Sequence, residues 1–205
     1  MSTSPAPAPS RPERERSLNL PNAITVARLV IFMPLFVLLV LVWHDNLWAL
    51  IVLVALGSTD WLDGFLARRW NQVTRFGTVV DPIADRASQV VVIITLVVAG
   101  IAPLWMALAI AVTDIIVGSL VLGFHRTKSM TATKFGKART ALLMVGFPFL
   151  LFANTTLANT TFANTNLIDS SVLLGVAYWV AAAGCIAHAV AGIQYARQIV
   201  LRMGE

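Results

Sequence analysis

Long apolar runs separated by short polar breaks dominate the chain beyond residue 20. A helix needs about 20 apolar residues to cross the hydrocarbon core of a bilayer, and the runs have that length. The pattern predicts six such helices, over residues 22–43, 47–67, 77–100, 103–124, 136–152 and 172–199. Pro21 and Pro103 precede the first and fourth, where a missing backbone N–H costs nothing. Residues 1–20 are rich in Pro, Ala, Ser and Arg–Glu pairs and read as a disordered tail. They lack the pattern of a cleaved leader, so the first span is expected to stay as an anchor. The segment ANTTLANTTFANTN (153–166) repeats a five-residue unit. It is too short for a stacked solenoid and reads as a polar outer loop.

Composition agrees with this pattern. Hydrophobic residues make up 58% of the 205 and charged residues only 12%, against about 25% charged in a soluble domain. The fold class expected is an all-α integral membrane protein. One cysteine, Cys185, excludes an internal disulfide. The net charge of +5 reads as cytoplasmic loops facing anionic lipid rather than as a nucleic-acid surface. Arg11, Arg14 and Arg16 precede the first span, and Arg68, Arg69 and Arg75 lie between the second and third. Arg126, Lys128, Lys134, Lys137 and Arg139 lie around the link between the fourth and fifth. The opposite links, near 44–46, 100–102 and 153–171, hold no Lys or Arg. Basic loops stay inside, so both termini are expected in the cytoplasm of a multi-pass plasma-membrane protein. Trp43 and Trp48 would mark one interface and Trp70 the other.

Four carboxylates interrupt the apolar pattern. Asp60 and Asp63 lie in the second span, Asp81 and Asp85 in the third. At 100° per residue, Asp60, Asp63 and Ala67 share one helix face, and Gly77, Asp81 and Asp85 share another. Gly64 permits close backbone approach beside them. Carboxylates this dense repel one another unless cations sit between them. Hard oxygen donors favour Mg²⁺ or Mn²⁺, and the set suits two ions. Such a site fits phosphoryl transfer, with a carboxylate at its edge to take a hydroxyl proton. A salt-bridge network with Arg68, Arg75 and Arg86 is the plainer alternative. A transporter or metal-binding protein is the other function class, since carboxylates also line ion paths; no repeated halves support it.

The run D60-x-x-D63-G64-x-x-A67-R68-x8-G77-x-x-x-D81-x-x-x-D85 resembles the signature of the CDP-alcohol phosphatidyltransferases at every specified position. The resemblance implies transfer of a phosphatidyl group from CDP-diacylglycerol to an alcohol, with release of CMP. It implies Asp60, Asp63 and Asp81 as metal ligands and Asp85 as general base, touching the second metal as well. Asp60, Gly64, Ala67, Arg68 and Gly77 would bind the CDP moiety, joined by Asn22 and Thr25 at its rim, with Asn22 reading alternatively as a helix cap. It also implies a homodimer, while the basic loops put the four aspartates, and so the active site, near the cytoplasmic face.

The acceptor is less plainly written. LNLPNAITVARLVIF (18–32) and DPIAD (81–85) resemble phosphatidylglycerophosphate synthases and related bacterial cardiolipin synthases. TKFGKART (133–140) resembles the basic segment of the former, so Lys134, Lys137 and Arg139 are expected to bind the acceptor, with Arg126 from the preceding link as a further candidate; ordinary positive-inside loop charge is the alternative. Glycerol 3-phosphate leads, followed by phosphatidylglycerol and then inositol phosphate. One departure stands out: Thr113 precedes Asp114 where those synthases carry an Arg. Asp114 therefore needs a partner deep in an apolar helix, with Arg28, Arg139 and His188 as candidates. Arg28 itself reads either as the rim of the nucleotide site or as an interface residue that snorkels. Cys185 and His188 read as packing residues.

Overall fold

The computed structural model describes residues 28–69, 75–123, 134–165 and 169–201, and every regular element among them is helical. A π-helical turn, Arg28–Phe32, runs into α1, Met33–Leu41. Then follow α2 (Asn46–Arg69), α3 (Arg75–Val98), α4 (Leu104–Gly123), α5 (Lys134–Ala153), α6 (Thr156–Thr165) and α7 (Ser170–Leu201). The all-α expectation holds. The tail at 1–20, Asn22, Thr25, Trp70 and Arg126 lie outside the described residues.

Local chemistry sets the corners. His44 takes a left-handed φ of 52° between α1 and α2. Asp45 then accepts the Trp48 N–H at 3.1 Å through Oδ1, capping the start of α2. Gly100, at φ 72°, closes α3, and Ile101 N–H reaches back to the Leu96 carbonyl at 2.9 Å. Pro103 stands immediately before α4, as its sequence position predicts. Asp169 Oδ1 accepts the Ser171 N–H at 3.0 Å at the head of α7. That backbone bond, with the Ser171 side chain second, holds the Asp169 carboxyl below its usual range. The cap is therefore complete above the ordinary carboxylate pKa and weakens as pH falls through the lowered one.

The 153–166 repeat is not a loop: residues 156–165 of it form α6. Thr155, fully buried, caps it by accepting the Ala158 N–H through Oγ1 at 3.1 Å. Ala153, Thr155 and Ala158 are its inward positions, while Leu157 is exposed. Small residues let this short helix lie close against its neighbours, and Asn46 Nδ2 ties the start of α2 to the Asn154 carbonyl at 3.0 Å. Composition marked the segment as polar, but capping and close packing outweighed that.

The packing centres on α7, with α4 and α5 lying along it. Ala177, Ala181, Gly184, Cys185, His188 and Gly192 form its buried stripe. A Cβ on Gly146 of α5 would sit 2.8 Å from the Ala181 Cα, so the two backbones nearly touch. One on Gly192 would sit 2.1 Å from Thr113 Cγ2 on α4. Small residues at helix crossings are the usual means of close approach in lipid, where hydrophobic force between helices is weak. On the other side, α1 packs on α2 and α3, and α2 packs on α5.

The outer surface is apolar. Ile115, Val30 and Trp179 are each about two-thirds exposed, with many Val, Leu and Ile beside them. Water does not tolerate an apolar surface this wide on a monomer. Trp43 and Trp48 are exposed at the α1–α2 corner, where interface aromatics are expected. By length and composition, α7 is the one described helix apolar enough to cross a bilayer alone. Elsewhere the apolar stretches are shorter, such as Asn46–Thr59 and Thr140–Ala153. The reason is visible in the sequence: α2 ends in the aspartate motif and α5 begins with Lys134, Lys137 and Arg139.

Candidate active site

The described part of the site is built around Asp85 on α3. Arg28 Nη2 donates to Asp85 Oδ1 at 2.7 Å. The Arg28 side chain is only 4% exposed while that of Asp85 is 49% exposed. Arg28 therefore does not snorkel to an interface; the π-helical turn carries it inward against the carboxylate. A buried guanidinium is costly unless paired, so this contact fixes both partners. The carboxylate keeps an open side.

That side meets a cavity of about 170 Å³ among α1, α2, α3 and α5. Arg28, Asp85, Ser88, Gln89 and Thr140 supply its polar lining, and residues such as Leu56, Val92 and Phe147 its apolar lining. Asp85, Ser88, Gln89 and Val92 are spaced i, i+3, i+4 and i+7, so one face of α3 presents them all. The cavity thus prolongs the Gly77–Asp81–Asp85 stripe by two turns.

A second polar cluster fixes how α3 sits. Asp114 Oδ1 on α4 accepts from Arg86 Nη1 and lies 3.1 Å from His188 Nε2 on α7. Asp114 is thereby joined to two other helices. His188, one of the candidates named from the sequence, is a partner of Asp114, and Arg86 is a second that was not among them; Arg28 pairs with Asp85 instead, and the Arg139 side chain lies outside the described residues. His188, 1% exposed, is more than the packing residue expected of it, whereas Cys185 is buried as expected. Thr113, which stands in place of the Arg, lies with its methyl against Gly192 of α7. The cation comes from the neighbouring helix instead.

Asp60, Asp63, Gly64, Ala67 and Arg68 fall on α2, and Gly77 and Asp81 on α3, so the segments that carry them are helical as expected. Their side chains lie outside the described residues. Lys134, Lys137 and Arg139 fall in the first turns of α5, again with side chains outside. Among the described residues no group of three His, Cys, Asp or Glu forms a metal cluster. The aspartates on continuous helices remain a donor set suited to hard divalent cations.

A family model described as CDP-alcohol phosphatidyltransferase matches residues 18–186. The chain belongs to that family. Similarity to individual proteins agrees. The "Putative cardiolipin synthase" of Mycobacterium tuberculosis is 40% identical over 143 residues, covering 69% of this chain and 68% of its own. The cardiolipin synthase (CMP-forming) of Streptomyces coelicolor is 36% identical over 154 residues, covering 71% and 70%. The CDP-diacylglycerol–glycerol-3-phosphate 3-phosphatidyltransferase of Escherichia coli is 38% identical over 143 residues, covering 65% and 77%.

The protein is thus a phosphatidyltransferase of phospholipid biosynthesis, and the transporter alternative falls away. Sequence reasoning about this phosphatidyltransferase missed Ser88, Gln89 and the pairing of Arg86 with Asp114. The first two were within reach, since they continue the aspartate stripe by one turn. The pairing was not, because the partner of Arg86 is 28 residues away on another helix.

Proposed function

We propose that this phosphatidyltransferase moves the phosphatidyl group of CDP-diacylglycerol onto the primary hydroxyl of a glycerol-bearing acceptor. The observation that carries the reading is Asp85, a half-exposed carboxylate held by buried Arg28 at the mouth of a cavity. Asp85 takes the proton of the acceptor hydroxyl as general base. The hydroxyl oxygen bonds to the phosphorus that carries diacylglycerol, the bond from that phosphorus to the bridging oxygen breaks, and CMP leaves. Arg28 is a positioning residue, acting through the carboxylate it holds.

Asp60, Asp63 and Asp81 would hold Mg²⁺ or Mn²⁺, with Asp85 at the edge of the second ion. Bound divalent cations supply positive charge against the pyrophosphate. Gly64, Ala67, Arg68 and Gly77, with Asn22 and Thr25, receive the CDP moiety. Support comes from the complete aspartate motif and its placement on uninterrupted helices. Glycerol 3-phosphate is the leading acceptor, supported by the basic start of α5 and by the Escherichia coli relative. Phosphatidylglycerol is the second, supported by the apolar cavity beside Asp85 and by the two relatives named for cardiolipin. The protein works as a six-span homodimer of the plasma membrane, with both termini and the site on the cytoplasmic side. The asymmetric Lys and Arg distribution supports that orientation.

The test is CMP release by purified protein in detergent, with CDP-diacylglycerol and Mg²⁺ or Mn²⁺. Glycerol 3-phosphate, phosphatidylglycerol, inositol phosphate and no acceptor are compared. Release that depends on one acceptor names the product; release with none of them rejects the reading. Arg28→Met should lower kcat about tenfold, the scale of one lost charged hydrogen bond, while KM for CDP-diacylglycerol changes little. An unchanged kcat would remove the positioning role.

A further inference from the structure

Among the described residues, two buried polar atoms beside Asp85 have no hydrogen-bond partner: Ser88 Oγ and Gln89 Nε2. Other helical hydroxyls bond back to their own helix, as Thr95 does to the Val91 carbonyl at 2.7 Å and Thr59 to Ala55 at 2.9 Å. Ser88 does not take that bond. Buried polar groups in folded proteins are nearly always satisfied, so two adjacent exceptions on a cavity wall call for a partner from outside the chain. Beyond Arg28, Asp85 and Thr140, the remaining lining is apolar.

Position along α3 separates this pole from the nucleotide. Gly77 and Asp81 precede Asp85, whereas Ser88 and Gln89 follow it by about one turn. In an in-line displacement the attacking and leaving oxygens lie on opposite sides of phosphorus. With CMP leaving toward the Gly77–Asp81 end, the acceptor approaches from the Ser88–Gln89 end. A glycerol acceptor is a 1,2-diol there. Its primary hydroxyl meets Asp85, and its neighbouring hydroxyl, one carbon away, falls toward residues one turn along the same face.

We propose that Ser88 and Gln89 bind the secondary hydroxyl of the acceptor's glycerol unit and so select 1,2-diols. This rests on the phosphatidyl-transfer reading above. Both glycerol-bearing acceptors, glycerol 3-phosphate and the headgroup of phosphatidylglycerol, present that diol. Ser88 supplies a hydroxyl that donates or accepts, and the Gln89 amide donates through Nε2.

The experiment compares wild type, Ser88→Ala and Gln89→Leu on each acceptor and on its deoxy analogue. The analogues are 3-hydroxypropyl phosphate and phosphatidyl-1,3-propanediol, which keep the primary hydroxyl and lack the secondary one. Wild type should favour the diol by about tenfold or more in kcat/KM. Each variant should lose about tenfold on the diol, hold its rate on the analogue, and keep its KM for CDP-diacylglycerol. The acceptor pair that shows the collapse identifies the physiological source of the diol. Equal losses on diol and analogue, an unchanged preference, or a raised KM for CDP-diacylglycerol would overturn the assignment and leave a water-filled cavity. A wild type that releases CMP with neither acceptor overturns the transfer reading and this assignment with it.

Discussion

Asp85→Asn should bind CDP-diacylglycerol normally and transfer almost nothing. The amide keeps the size of the carboxylate and an oxygen that can still accept from Arg28, whose donated bond to Oδ1 is 2.7 Å long. Cavity shape is therefore preserved. What disappears is the ability to take a proton from an attacking hydroxyl. Positioned general bases contribute about 10²- to 10⁴-fold, so CMP release should fall by that factor. Binding of CDP-diacylglycerol in the presence of Mn²⁺, followed by thermal shift, should stay within about twofold of wild type, a difference of less than 1 kcal/mol. Normal CMP release by this variant would remove the base assignment. Lost nucleotide-lipid binding with lost release would instead make Asp85 chiefly a ligand-holding residue.

Gly146→Leu should destabilise the protein more than any of the site substitutions. The nearest atom to an added Cβ is the Ala181 Cα, 2.8 Å away, with the Ala181 nitrogen at 3.1 Å. Both are backbone atoms of α7, so no rotamer change relieves the clash. The helices must separate along a crossing that buries Leu143, Leu150, Ala177 and Ala181. Overpacking of this kind costs about 1–3 kcal/mol or more. The midpoint of thermal unfolding in detergent should drop by several degrees, with Gly146→Ala intermediate. Gly175 has nothing within 4 Å of an added Cβ, so Gly175→Leu should leave the midpoint near wild type. Equal effects at both positions would mean that helix propensity, not close approach, governs this seam.

Much of this protein was determined by local sequence. Hydropathy runs located the main helices because each must bury its own backbone hydrogen bonds in lipid. Pro103 marked a boundary because its missing N–H acts within a turn. The aspartate stripes were readable for the same reason: helical phase alone puts Asp81 and Asp85 on one face. Other features depended on residues far apart in the chain, and only the tertiary structure decided them. Arg28 meets Asp85 across 57 positions, and His188 meets Asp114 across 74. No spacing rule predicts those pairs, because they arise from how the π-helical turn meets α3 and how α4 meets α7. The repeat at 153–166 became a helix because Thr155 caps it and its small residues fit against neighbouring helices. The cavity beside Asp85 likewise exists only where four separate elements leave space between them, and that space is a property of their packing.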